Sequence, residues 1–185
     1  LLAGEGALAA FAWEEAQAQF ERGLAAKGVA SVGDETIPDL QAADLPFGLA
    51  QAGIGTAERY GFQEAFVILA RAFDYYAEVG DIARVVDIAD NPVSITAPGN
   101  IAPLLARALE LVPPDSYEAG RLLPWYGRLL NALEGDYEGA QEALSRGLAI
   151  AQREGDMALQ MQALAWSADV EVTHFHWQQA LEKAL

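Results

Sequence analysis

Cysteine is missing from all 185 residues, and histidine occurs only twice. Without thiols there is no disulfide framework, no thiolate nucleophile and no cysteine-based zinc site, and the redox compartment is left open. Long apolar runs are missing as well. Runs such as Phe66-Val-Ile-Leu-Ala70 are short, against about 20 residues needed to cross a bilayer. Basic residues are scarce: 11 Lys+Arg stand against 27 Asp+Glu, a formal net charge of −16. A surface this acidic repels phosphate backbones and anionic headgroups, so neither direct nucleic-acid binding nor membrane binding is expected.

Strand formers are also thin on the ground, whereas alanine is abundant, with 37 copies or one residue in five. Alanine is the best helix former and lets helices approach closely, so the composition predicts an all-α chain. About half of the residues are apolar, enough for a real core rather than a disordered acidic tail. The chain opens Leu-Leu without an initiator Met and ends inside a helical pattern, Leu181-Glu-Lys-Ala-Leu185, which reads as a fragment of something larger.

A repeat organises the sequence. Phe62-Gln-Glu-Ala-Phe-Val-Ile-Leu-Ala-Arg71 and Tyr137-Glu-Gly-Ala-Gln-Glu-Ala-Leu-Ser-Arg146 align at an offset of 75, pairing Ala65 with Ala140, Leu69 with Leu144, and later Gly80-Asp81 with Gly155-Asp156. A third copy starts at Trp13 with Ala16, Phe20 and Arg22-Gly-Leu-Ala25, closed by Gly33-Asp34. A fourth starts at Trp177 with Ala180, and a degenerate one contains Leu104-Leu-Ala-Arg-Ala-Leu-Glu-Leu111. Anchors at 13, 62, about 98, 137 and 177 are spaced 49, 36, 39 and 40.

Within each copy an aromatic residue is followed by Ala at +3, Leu or Phe at +7 and a small residue at +10, one stripe of a helix. The recurring leaders Trp13, Phe62, Tyr137 and Trp177, with Ala16, Ala65, Ala140 and Ala180, are therefore packing anchors. A glycine or a polar turn separates a first helix from each second one, and Gly-Asp stops the second. This places helices at about 2–11, 13–27, 40–59, 62–79, 82–90, 100–111, 116–133, 137–154, 157–174 and 177–185, in units of about 1–39, 40–81, 82–114, 115–156 and 157–185. Asp115 with Glu118 reads as a capping box, and Pro124 as a kink or a fresh helix start.

These residues resemble the tetratricopeptide-repeat family, whose unit carries the pattern of Gly135-Asp136-Tyr137-Glu-Gly-Ala140 followed by a large apolar residue at +7 and a small one at +10. The first helices match it poorly, with only Trp125-Tyr-Gly127 and Trp166 similar to the family's aromatic and glycine. Units near 40 residues are similar to the repeat arrays of large bacterial ATP-dependent transcription regulators of the maltose-activator and LuxR-related type, and of cyclase-linked ATPases. The resemblance implies a right-handed superhelix of antiparallel hairpins in a cytoplasmic protein. It also implies a module that binds inducers or partner proteins and gates an ATPase or a DNA-binding module outside this chain.

The candidate groove residues are Arg121, Trp125, Arg128, Trp166 and Asp169, because in the resembling family first helices line the concave face. Arg121 and Arg128 are two of only nine arginines and have the fork geometry to clamp a carboxylate. The competing readings are an intrahelical ion pair for the arginines and a core position for the tryptophans. His174 and His176 are two apart, a spacing that points them to different sides of a helix, so they read as a polar turn rather than a metal pair. Gly53-Ile-Gly55 lacks the strand, third glycine and lysine of a phosphate loop. Nothing nominates a general base, and the acids read as solvated helix faces. The sequence therefore predicts no catalytic residue, cofactor or metal. It predicts a protein or peptide partner, preferably basic, with two further expectations: a small-molecule effector held in the irregular middle from Ile82 to Asp115, and end-to-end self-association through the apolar faces at Leu1–Phe11 and Trp177–Leu185.

Overall fold

The computed structural model describes residues 1–29, 37, 39–56, 62–90 and 101–184, apart from the side chains of 40, 54–56, 62–65 and 184. Among these residues every regular element is helical: α1 Leu2–Ala9, α2 Trp13–Lys27, α3 Leu40–Thr56, α4 Phe62–Val79, α5 Ile82–Ala89, α6 Ala102–Leu111, α7 Tyr117–Leu129, α8 Tyr137–Glu154, α9 Met157–Thr173 and α10 Trp177–Ala184. The all-α expectation is met, and none of these helices is long and apolar enough to cross a membrane. Residues 30–36, with Gly33-Asp34, and 91–100 lie outside the described set, as do the Phe62 and Ala65 side chains. Gly53 and Gly55 fall within α3.

The helix ends follow from the Gly-Asp pairs. At Gly155 the chain turns left-handed, φ 73°, a conformation that costs a residue with a Cβ about 1 kcal/mol or more, and the Asp156 amide bonds back to the Ala151 carbonyl at 3.0 Å. Asp156 then caps α9 by accepting from the Leu159 amide at 3.0 Å. That bond, and a second from the Tyr117 hydroxyl at 2.8 Å, hold its carboxyl below the usual range. Asp81 and Asp136 cap α5 and α8 in the same way.

Three local expectations need correction. The cap of α7 is Ser116, whose hydroxyl accepts from the Ala119 amide at 3.1 Å, so Asp115 lies one residue outside the helix. Pro124 starts no new helix; it sits inside α7, and Gly147 of α8 makes room for its ring. Beyond Leu129 the helix widens into a π turn, Leu130–Glu134. Gly127 brings α7 against α8 closely enough that an added Cβ would stand 2.9 Å from the Ala140 carbonyl oxygen.

The chain forms two compact units, Leu1–Ile101 and Ala102–Leu185, the boundary falling inside the stretch read as the third repeat. In the first unit each helix from α1 to α5 packs on the next. Phe20 is fully buried where Gly4 of α1 and Gly48 of α3 leave space for its ring. Asp44 of α3 ties this unit together, accepting from the Tyr76 hydroxyl at 2.6 Å and pairing with Arg84 at 3.2 Å. Burial and the Asp44 carboxylate push the Tyr76 hydroxyl far above its ordinary pKa.

In the second unit each helix from α6 to α10 packs on the next, and α9 also packs on α7. Its core contains the anchor Ala140 with Leu144 and Val170, covered by Leu130, Tyr137 and Trp166. Ala16 and Ala180 are buried, and Trp13 is half-buried. Trp177 departs from the anchor expectation: it is 61% exposed, because α10 packs back on α9 and no other described helix covers its outer side.

Candidate functional site

Helix α7 turns Arg121, Trp125 and Arg128 onto one stripe, spaced i, i+4 and i+7. On α9 the neighbours Trp166 and Asp169 are spaced i, i+3. The two helices lie side by side and parallel: Trp125 meets Trp166, Arg128 meets Asp169, and Asn131 meets Thr173, each partner 41 or 42 residues on. The structure thus brings four of the five candidate groove residues into one stack. Arg121 shares the α7 stripe one turn before Trp125, outside that stack.

The stack is layered. The two indoles lie 5.2 Å apart, tilted by 40°. The Arg128 guanidinium covers both, 5.5 Å from the Trp125 ring centre and 5.8 Å from that of Trp166. Each such cation–π contact contributes about 0.5–1 kcal/mol at a partly exposed site. Arg128 Nε donates to Asp169 at 3.4 Å, a long bond to a half-exposed carboxylate. The pair links two helices, which corrects the intrahelical reading. Trp125 is 4% exposed, so its ring belongs to the core. Its indole N–H is buried without a hydrogen-bond partner, a deficit of about 1–3 kcal/mol.

Beside this stack lies a polar cluster that reading acids as solvated faces missed. Glu171 of α9 is 3% exposed. One carboxylate oxygen accepts from Lys183 and from Gln141 Nε2 at 3.0 Å, and the other from the Tyr137 hydroxyl at 3.0 Å and His176 Nδ1 at 2.9 Å. Burial alone would raise the Glu171 pKa, but the hydrogen bonds from Lys183, His176 and Tyr137 outweigh it and hold the carboxyl below its ordinary value. Burial and the Glu171 carboxylate raise the Tyr137 hydroxyl. The Tyr137 ring also packs 4.7 Å from His174 and 5.4 Å from His176. His174 Nε2 meets Asn131 Oδ1 at 2.7 Å. The two histidines flank the α9–α10 turn, each bound to a partner on the protein. The cluster joins α8, α9 and α10, and its donors saturate the carboxylate, so its chemistry is that of a clasp.

A half-open groove of about 360 Å³ is lined by Leu109 of α6, Leu123 and Tyr126 of α7, Leu130, and Glu142 and Arg146 of α8. It overlaps the expected effector region only at Leu109 and Pro114; residues 91–100 lie outside the described set.

Compared with family models, curated proteins and solved structures, the chain matches none.

Proposed function

We propose that this chain is a non-catalytic helical-repeat module that recognises a protein or peptide segment, with the α7–α9 face as its recognition surface. In this reading the hairpins form a right-handed, tetratricopeptide-like superhelix, and the module works within or onto a bacterial signalling or transcription regulator. The observation that carries the proposal is the lateral register of the helices. Arg128 with Asp169 on α7 and α9, Gln141 with Lys183 on α8 and α10, and Asp44 with Arg84 on α3 and α5 are pairs 41, 42 and 40 residues apart. Those offsets lie close to the 39- and 40-residue spacing of the last anchors, as expected where each hairpin stacks on its predecessor with similar neighbours. First helices brought together in this way present Arg128, Trp166 and Asp169 on one surface, backed by the buried Trp125.

A net charge of −16 steers a basic segment toward the protein and penalises an acidic one. Calorimetric titration with a lysine-rich amphipathic peptide and with an acidic peptide of equal length tests this. The proposal expects binding of the first only, weakening as salt rises. Equal binding of both, or binding indifferent to salt, contradicts it.

The α6–α8 groove favours a second reading, an effector-binding module whose small molecule shifts a larger regulator between states. Thermal-shift screening of metabolites tests it: stabilisation lost on substituting Arg146→Ala supports this reading, and no stabilisation at high ligand excess removes it.

A further inference from the structure

The α7–α9 stack leaves two sets of donors without an acceptor. Trp125 Nε1–H is buried and unpartnered. Arg128 spends only Nε on Asp169, through a 3.4 Å contact, and its terminal nitrogens meet no acceptor among the described residues. An apolar side chain at position 125 would strand no N–H there. Buried donors of this kind ordinarily have a partner.

We propose that Trp125 Nε1–H and the terminal nitrogens of Arg128 form a subsite for the carboxylate of a ligand with an apolar body. The inference rests on the α7–α9 face being the recognition surface and names the chemistry recognised there. A carboxylate offers two oxygens in one plane, the arrangement that a guanidinium fork binds best. The two oxygens take the Arg128 fork, and one of them also accepts from the indole N–H. Arg128 is the cover of the site: its side chain is 31% exposed and is held by the long Asp169 pair and by stacking on the two indoles. In the proposed bound state Arg128 lifts off the rings and turns its fork to the ligand. The vacated faces of Trp125 and Trp166 then receive the apolar body. Charge selects the anion, since a chain of net charge −16 penalises each further negative charge, favouring a monoanionic carboxylate over a phosphate dianion.

The test uses the whole chain labelled with ¹⁵N at tryptophan, whose four indoles give four N–H resonances. Trp125 is assigned by Trp125→Phe or, should that variant unfold, by Phe substitution of Trp13, Trp166 and Trp177 in turn. Sodium benzoate is titrated in, with benzamide as the neutral control of the same shape. The proposal expects the Trp125 indole proton to move downfield and saturate with benzoate, to stay in place with benzamide, and to need at least tenfold more benzoate in Arg128→Gln. No movement with benzoate, equal movement with benzamide, or an unchanged titration in Arg128→Gln overturns the subsite. A resonance that ignores benzoate but shows a cross-peak to a long-lived water also overturns it, because the N–H is then served by solvent. With basic-peptide binding intact, such a negative leaves the α7–α9 face standing; loss of both removes the face too.

Discussion

Glu171 shows how one buried charge organises three helices. Its carboxylate gathers a lysine, a glutamine, a tyrosine and a histidine drawn from α8, α10 and the turn before α10. Substituting Glu171→Gln leaves Lys183 without its counter-charge. Because Lys183 is partly exposed, the cost is about 2 kcal/mol, less than for a fully buried pair. The sign of the pH dependence follows from the lowered carboxyl. Its stabilisation is complete above the unfolded value of about 4.5 and fades as pH falls through the folded value. Urea unfolding of the wild type and of Glu171→Gln is therefore expected to differ near pH 7, with the gap narrowing as pH falls below about 4.5. A gap that stays constant or widens on acidification contradicts that coupling. No local pattern announces the clasp: Tyr137 and Glu171 are 34 residues apart, and a lone glutamate on a helix reads as solvated until the neighbouring helices are in place. Trp125, Arg128, Trp166 and Asp169 were legible because rare arginines and tryptophans stood out against an alanine-rich acidic background.

At the scale of the element, Gly-Asp stops and the aromatic-Ala-Leu stripe gave the ten helices nearly to their ends, since caps and periodicity are local signals. Two turns escaped that reading. Phe11 and Phe175 adopt left-handed conformations, φ 56° and 61°, each meeting the following tryptophan edge-on, at 5.6 and 5.8 Å. Nothing in a lone phenylalanine signals positive φ. The π turn after Leu129 was equally invisible, as it has no composition of its own. Close helix approach does leave a mark, in glycine on a packing stripe. Gly127→Ala gains helix propensity of about 1 kcal/mol but forces a Cβ against the Ala140 carbonyl, 2.9 Å away, an overpacking cost of about 1–3 kcal/mol. A net loss is expected, seen as a lowered melting temperature. Gly6→Ala meets nothing within 4 Å and is expected to keep or raise it.

For the molecule as a whole, the acidic surface and the apolar ends act in opposition. Phe175, Trp177 and Leu181 are 75%, 61% and 59% exposed, and Leu2 and Phe11 are 84% and 75% exposed. Such patches favour association, while a net charge of −16 opposes it until salt screens the repulsion over about 8–10 Å. Sedimentation at high concentration is expected to reveal self-association that grows with salt and is suppressed by Trp177→Ser; a strict monomer at every salt contradicts that expectation. The repeat explains why so much was legible at this scale: a period near 40 residues implies neighbours near 40 residues apart, and the Asp44–Arg84, Arg128–Asp169 and Gln141–Lys183 pairs have that spacing. The central claim, that recognition occurs on the α7–α9 face, is tested most directly by the affinity of a lysine-rich peptide for the Trp166→Ala/Asp169→Asn variant, with helicity checked by circular dichroism. Recognition on that face requires at least tenfold weaker binding with helicity retained; wild-type affinity in that variant would exclude it.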